Sequence, residues 1–339
     1  MKRNLSSVAA GVVFSLLLAA CGGGSTGSSS SSSGAAAPAA PAAQANTLTA
    51  VKTDSVSMDS GAAFWANSPK VDVATTAANG NNVAGPAVTL QAAYDGKSIA
   101  LRLEWADTTD SALNKAWIWD GSAFKRSGDL GDRMGVLFPM GNDPAFASKG
   151  CTAACHNSGT DQEKWWMGSD NADTRYDLWQ WTAAGSNPVG QAQDEWMGAQ
   201  EDPADMESAT HGDALESGGS LSNVNAAKDG PAFMGADLTS SFIISGQQVA
   251  IDTTKLTKDM AIPASALSPW VGSRGDVQAK GEWKDGKWVV VLMRALDTGH
   301  DDEVVLTPPK PYTLGVAVFD HIDLLGHSIT SDAVTLNWK

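Results

Sequence analysis

Cysteine, histidine and tyrosine are scarce in this chain: three, five and three among 339 residues. With cysteines only at positions 21, 151 and 155, one thiol pair is the most it can assemble. Basic side chains are outnumbered, 23 Lys and Arg against 38 Asp and Glu, for a formal net charge of −15. That balance argues against nucleic acid and against anionic lipid surfaces as partners; a basic protein partner is compatible with it. Long apolar runs are missing too, and the stretch 8–18 is too short to cross a bilayer as a finished helix. Helical periodicity is scarce, with short candidates at 112–117 and 263–267. The chain also lacks a nucleophile–base arrangement, a phosphate-binding glycine loop and a hydrolytic metal motif, so it is not expected to be an enzyme in its own right.

What is present begins with an export signal. Lys2 and Arg3, the apolar stretch after them and then Leu18-Ala19-Ala20-Cys21 resemble the signal peptide and lipobox of bacterial lipoproteins. Residues 1–20 would be removed and Cys21 lipidated, leaving 38 acidic side chains against 21 basic ones, a net of −17. An ordinary secretory cleavage site with a stray cysteine is the competing reading. Gly22 stands where aspartate would mark retention at the inner membrane, which favours the outer membrane, facing the periplasm or the surface. Residues 21–52 are Gly, Ser, Ala and Pro almost without interruption, a composition that cannot bury a core and reads as a flexible tether. The remainder, 53–339, is long enough for one large β domain or two small ones, and reads as one.

That remainder reads as strands. Asp95-Gly96 between 88–94 and 99–105 is a two-residue hairpin signal. In its second arm Ile99, Leu101, Leu103 and Trp105 alternate with Ala100, Arg102 and Glu104, which describes a strand with one buried face. Asp285-Gly286 between 282–284 and 287–294 repeats the design. Further strands are expected at 133–138, at 242–252 with a turn at Ser245-Gly246, at 313–319 and at 334–338. The fold class that follows is all-β, an antiparallel sandwich with long loops and a few short helices. Two stretches read as long loops, 141–173 and 199–231; loops of that length are usually functional or disordered, and the second has no evident role.

The first loop holds Cys151-Thr152-Ala153-Ala154-Cys155-His156. A thiol pair closed by Cys-His is the attachment signature of a c-type haem: each sulfur bonds a vinyl group and the adjacent imidazole becomes an axial ligand to iron. Two residues usually separate the cysteines and here there are three, a spacing also known among c-type cytochromes. Export suits the reading, because covalent haem is attached outside the cytoplasm, but so does it suit a disulfide. A haem-free, ligand-binding sandwich with a Cys151–Cys155 disulfide is therefore the competing reading. Trp165, Trp166, Trp179 and Trp181 either wall a haem or fill the sandwich core. Asp170-Asn171-Ala172-Asp173 lacks the rest of a calcium loop and reads as a turn.

Several segments, in order, resemble the haem-binding γ-subunit family of ethylbenzene dehydrogenase. They are Tyr94-Asp95-Gly96-Lys97 with Leu101-Arg102-Leu103-Glu104-Trp105-Ala106-Asp107; the stretch 131–139; Asp177-Leu178-Trp179-Gln180-Trp181; Lys284-Asp285-Gly286-Lys287-Trp288; and 314–320. The resemblance covers about 55–339 and implies a β-sandwich carrying one haem for electron transfer. The γ-subunits belong to molybdenum oxidoreductases and hold a non-covalent haem b between a methionine and a lysine. Cys151, Cys155 and His156 depart from them and are similar to the branch that holds haem c covalently. By the same resemblance His327 falls where the γ-subunits supply their lysine, so His156 and His327 are the expected axial ligands. His321, six residues earlier, and Met167, at the place of the family's methionine, are the alternatives for the second. His211 and His300 lie in acidic loops and read as solvated.

The function expected on these grounds is that of a lipid-anchored, extracytoplasmic c-type cytochrome passing single electrons through one covalent haem. Its partners would be other cytochromes or a periplasmic oxidoreductase, with the membrane reached through the lipid on Cys21. The alternative is a haem subunit of a molybdenum oxidoreductase complex.

Overall fold

The computed structural model describes residues 46–78, 85–156, 165–322 and 326–339. The expected signal peptide, Cys21 and the tether up to residue 45 lie outside the described residues. Eleven strands form the main path of one large sheet: β1 (Thr47–Lys52), β2 (Val88–Tyr94), β3 (Ser98–Ala106), β4 (Arg133–Pro139), β5 (Tyr176–Thr182), β6 (Gln193–Met197), β7 (Thr210–Gly212), β8 (Gln278–Lys284), β9 (Lys287–Ala295), β10 (Tyr312–Phe319) and β11 (Val334–Trp338). Their spatial order is β7-β6-β5-β4-β10-β11-β1-β2-β3-β9-β8, with short strands at Val71–Val73, Thr75–Ala77 and Ser328–Thr330 joined at the side.

Local chemistry accounts for the two hairpins. Tyr94 pairs with Ile99 across the first turn, where the Asp95 carboxylate accepts the amides of Lys97 and Ser98 at 2.9 and 2.8 Å. Lys284 pairs with Lys287 across the second; Asp285 and Gly286 both take positive φ, 53° and 76°, as the favoured two-residue turn requires. On the main path every pairing is antiparallel except those of β1, which runs parallel to both β11 and β2. β1 also lies wholly inside the stretch read as tether. Leu48 and Ala50 are buried while their neighbours are not, and two alternating apolar residues are enough when strands already wait on either side.

The sheet curls so that its two halves face each other. β10 makes the corner: Tyr312 to Leu314 pair with β11, and Gly315 to Phe319 pair with β4. Across the space between the halves, Trp181 of β5 packs edge-on against Trp105 of β3 and Trp288 of β9, at 6.2 and 5.0 Å between ring centres. Leu101, Leu103, Met134, Val136, Trp179, Val290, Leu292 and Val316 complete that core. Burying each large side chain of this kind contributes about 1.5–3 kcal/mol.

Three local expectations change. The helix candidates at 112–117 and 263–267 lead into strands, Trp117–Trp119 and Ser265–Val271, because Trp117 and Ala266 fill a separate apolar cluster with Met234, Ile243 and Ile262. The stretch 242–252 is not a hairpin: Ile243–Ile244 pairs in parallel with Ser265–Val271, and Gln248–Val249 pairs with Met234–Gly235. The loop 141–173 contains α1 (Pro144–Lys149), the only α-helix among the described residues.

Candidate cofactor site

β4, β5 and β10 are covered on both faces, and the second face builds the site. Met134, Val136, Trp179, Trp181, Val316 and Val318 point into the main core. The residues between them, Gly135, Leu137, Leu178, Gln180, Ala317 and Phe319, face a cavity that is partly open to solvent. Period-two alternation assigns these faces without further assumption. The small residues Gly135 and Ala317 set the cavity floor back toward the sheet.

The segment around the two cysteines forms the opposite wall. Asp143 caps α1, its carboxylate accepting the amides of Ala145 and Phe146 at 2.9 and 3.0 Å, and Pro144 occupies the first helical turn, where its missing N–H is harmless. The Tyr176 hydroxyl donates to the same carboxylate at 2.8 Å, tying the helix to β5. Gly150 ends the helix at φ +56°, and a Cβ there would lie 2.7 Å from the Asp332 backbone. One turn of 3-10 helix (Gly150–Ala153) then brings Cys151 against β10, where a Cβ on Gly315 would collide with the Cys151 sulfur.

Both free cysteines, Cys151 and Cys155, border the cavity. Burial raises each thiol to about 12, with the nearness of Cys155 adding to the effect at Cys151. Such thiols stay protonated at neutral pH, which does not suit a nucleophilic or zinc-binding thiolate. It does suit sulfur held as an uncharged thioether in an apolar wall.

The candidate ligands fall into two groups. His327 is buried, 2 % exposed, lines the cavity and stacks on Phe319 with ring centres 4.3 Å apart. Met167 lines the same cavity, paired with Cys155 in the small hairpin of Cys155–His156 with Trp166–Met167. The pleat that turns Cys155 and Met167 inward sends His156 elsewhere. Its ring stacks on Trp166 at 3.8 Å, with Nε2 3.2 Å from the Gly168 carbonyl oxygen and Nδ1 3.5 Å from Asp170. His321 is exposed, at φ 38°, with Nδ1 2.6 Å from Asp320, and is not part of the cavity wall. Of the four tryptophans, Trp165 and Trp166 border the cavity, while Trp179 and Trp181 lie in the main core on the other face of β5.

A family model for ethylbenzene dehydrogenase matches residues 62–328. The chain belongs to the ethylbenzene dehydrogenase family. This family is haem-related and is associated with subunits of oxidoreductase complexes. No curated protein matches the sequence. Among solved structures, a putative carbohydrate-binding protein from Bacteroides uniformis is 8% identical, with 87% of this chain and 100% of that one covered and a TM-score of 0.37. A family 9 carbohydrate-binding module from Caldicellulosiruptor kristjanssonii, solved with glucose, is also 8% identical, with 86% and 96% covered and a TM-score of 0.33. Likenesses at this level bear on neither ligand nor reaction.

In this member of the ethylbenzene dehydrogenase family the excursion at 199–231 acquires a role. Met206, Glu207 and Thr210 form part of the cavity rim, and Thr210–Gly212 is the edge strand β7. Nothing local marks these residues, since the contact joins segments distant in sequence. Leu137, Leu178 and Ala317 could have been found: a strand apolar on both faces needs a second layer over the face away from the core. The expected turn at 170–173 is present, with Asn171 accepting the Asp173 amide at 3.0 Å. Around His211, Trp196 stacks on the ring at 4.0 Å and Glu201 lies 3.5 Å from Nε2; His300 pairs with Asp276 at 3.0 Å.

Proposed function

We propose that this protein is a lipid-anchored, extracytoplasmic c-type cytochrome that passes single electrons through one haem held covalently at Cys151 and Cys155. The observation that carries the proposal is that Cys151 and Cys155, Met167 and His327, drawn from three segments of the chain, border one apolar cavity. The residues suit the group: two protonated thiols, an apolar wall with aromatic edges, a floor kept low by Gly135 and Ala317, a buried imidazole in His327 and a half-buried thioether in Met167. Bound there, haem supplies a one-electron iron couple.

The chain's own residues do the rest. Cys151, held against Gly315, and Cys155 would hold the haem from one wall of the cavity, and His327, oriented by its stack on Phe319, would hold its iron through the imidazole. His156 would be the other residue to hold the iron in this reading, although its ring here stacks on Trp166 and does not line the cavity. Met167 is the alternative second ligand and would raise the potential relative to a bis-histidine site. The lipid on Cys21 and placement at the outer membrane belong to the same proposal, supported by the lipobox-like Leu18-Ala19-Ala20-Cys21.

Production with haem-maturation machinery followed by intact-mass analysis is the direct test. The expected mass is that of the processed chain plus one haem, abolished in the double variant Cys151→Ala/Cys155→Ala. A mass lowered by two hydrogens, without haem, would replace the proposal with the disulfide-bearing ligand-binding sandwich. Low-temperature electron paramagnetic resonance of wild type, His327→Ala and Met167→Ala then assigns the second ligand. His327→Ala is expected to change the spectrum while covalent haem stays, and Met167→Ala to leave it unchanged. Family membership favours a second arrangement, in which the same haem serves a molybdenum oxidoreductase complex. Purification from native membranes distinguishes the two by the presence or absence of a co-eluting molybdoenzyme.

A further inference from the structure

On the opposite face of β5 and β6, buried between the halves of the sheet, lies a second polar centre. Asp177 of β5, Asp194 of β6, Asp213 just beyond β7 and Glu303 in the connection after β9 are all at most 4 % exposed, as is the guanidinium of Arg294 in β9. Asp177 is well served: one oxygen accepts Arg294 Nη1 at 2.7 Å and the Val304 amide at 2.9 Å. Glu303 lies 3.1 Å from the same Arg294 nitrogen. Asp194 differs. Its nearest Arg294 contact is 3.9 Å, and neither of its oxygens accepts a hydrogen bond; the same is true of both oxygens of Asp213. Buried carboxylate oxygens without donors are costly, and one arginine cannot neutralise four acids.

One oxygen each from Asp194, Asp213 and Glu303 lies within 4.8 Å of the others. We propose that these three carboxylates hold a divalent cation of the calcium type. Oxygens bound to Ca²⁺ at about 2.3–2.6 Å are separated by up to about 5 Å across the ion, whereas the shorter bonds of Mg²⁺ demand a tighter set. The donors are all hard oxygens, with no sulfur among them, and His300 sits to the outer side, paired with Asp276 and Glu303 at 3.0 and 3.4 Å. The cation neutralises the acids that Arg294 leaves uncompensated. It also joins β6, the end of β7 and the 296–306 connection, and so clamps one half of the sheet to the other. This inference does not depend on haem.

The competing state is a set of carboxyls neutralised by protons. The full chain, stripped with chelator and then dialysed, is titrated with Ca²⁺ by calorimetry, and its melting temperature is followed with Ca²⁺ and with chelator. One Ca²⁺ per chain, a higher melting temperature with Ca²⁺, and binding weakened at least about tenfold in Asp194→Asn and Asp213→Asn are expected. Folded wild type that takes up no Ca²⁺, or variants that bind it as well as wild type does, would overturn the assignment. If a variant fails to fold, terbium emission from wild type decides. Arg294 stacks 4.7 Å over the Trp179 ring, so Tb³⁺ at this site is excited through that indole and displaced by Ca²⁺; no sensitised emission also overturns it.

Discussion

β4, β5 and β10 present two unlike surfaces on their opposite faces. Toward the main core they carry Met134, Val136, Trp179, Trp181, Val316 and Val318, packed against the other half of the sheet. Toward the cavity they carry Gly135, Leu137, Leu178, Ala317 and Phe319, covered by α1, the 3-10 turn and the two cysteines. The backbone is shared, so the difference lies wholly in the alternate side chains. One face is filled and holds the fold together; the other is thinned by small residues so that a cavity remains beneath its cover. A sheet that is apolar on both faces, tightly filled on one and loosely covered on the other, leaves room for a prosthetic group in a partly open cavity.

Substitutions on each face separate the two roles. Trp181→Ala empties the space shared with Trp105 and Trp288 and is expected to cost about 3–5 kcal/mol, read as a lowered melting temperature by calorimetry. On the proposed function, the fraction that still folds should take up covalent haem as wild type does; loss of haem from folded Trp181→Ala would mean the faces are not independent. Gly315→Ala comes next. The added methyl meets the Cys151 sulfur, so about 1–3 kcal/mol of destabilisation should accompany a reduced yield of covalent haem in the intact mass. Ala317→Leu is the mildest for stability, within about 1 kcal/mol, because it projects into open cavity space. Haem loading should nevertheless fall sharply, and loading equal to wild type would show that the cavity is not where haem binds.

Much of the framework was legible in the residues. The Asp-Gly turns located both hairpins, and the alternation in 99–105 gave its strand to within a residue, because hairpin geometry and pleat are local properties; the arm read as 282–284 begins four residues earlier, at Gln278. The helix α1 lies in a stretch read as a loop, although Asp143-Pro144, a cap followed by a residue suited to the first helical turn, is a local signal for it. Other features were not. β1 has only Leu48 and Ala50 to mark it, and its parallel partners come from both ends of the chain. The rim residues Met206 and Thr210 lie in a stretch whose composition resembles a loop.

By itself, the sequence determined the all-β class, the two Asp-Gly turns, the adjacency of Cys151, Cys155 and His156, and the family, because each rests on residues near one another along the chain. Tertiary structure alone decided which residues meet. It brought His327 and Met167 to the cavity with both thiols, left His321 outside it, turned His156 onto Trp166, and separated Trp179 and Trp181 from Trp165 and Trp166. It also gathered Asp194, Asp213 and Glu303 into one buried centre. The physical reason is the same in each case: a pleat sends neighbouring side chains to opposite faces, and the curl of the sheet then chooses what those faces meet.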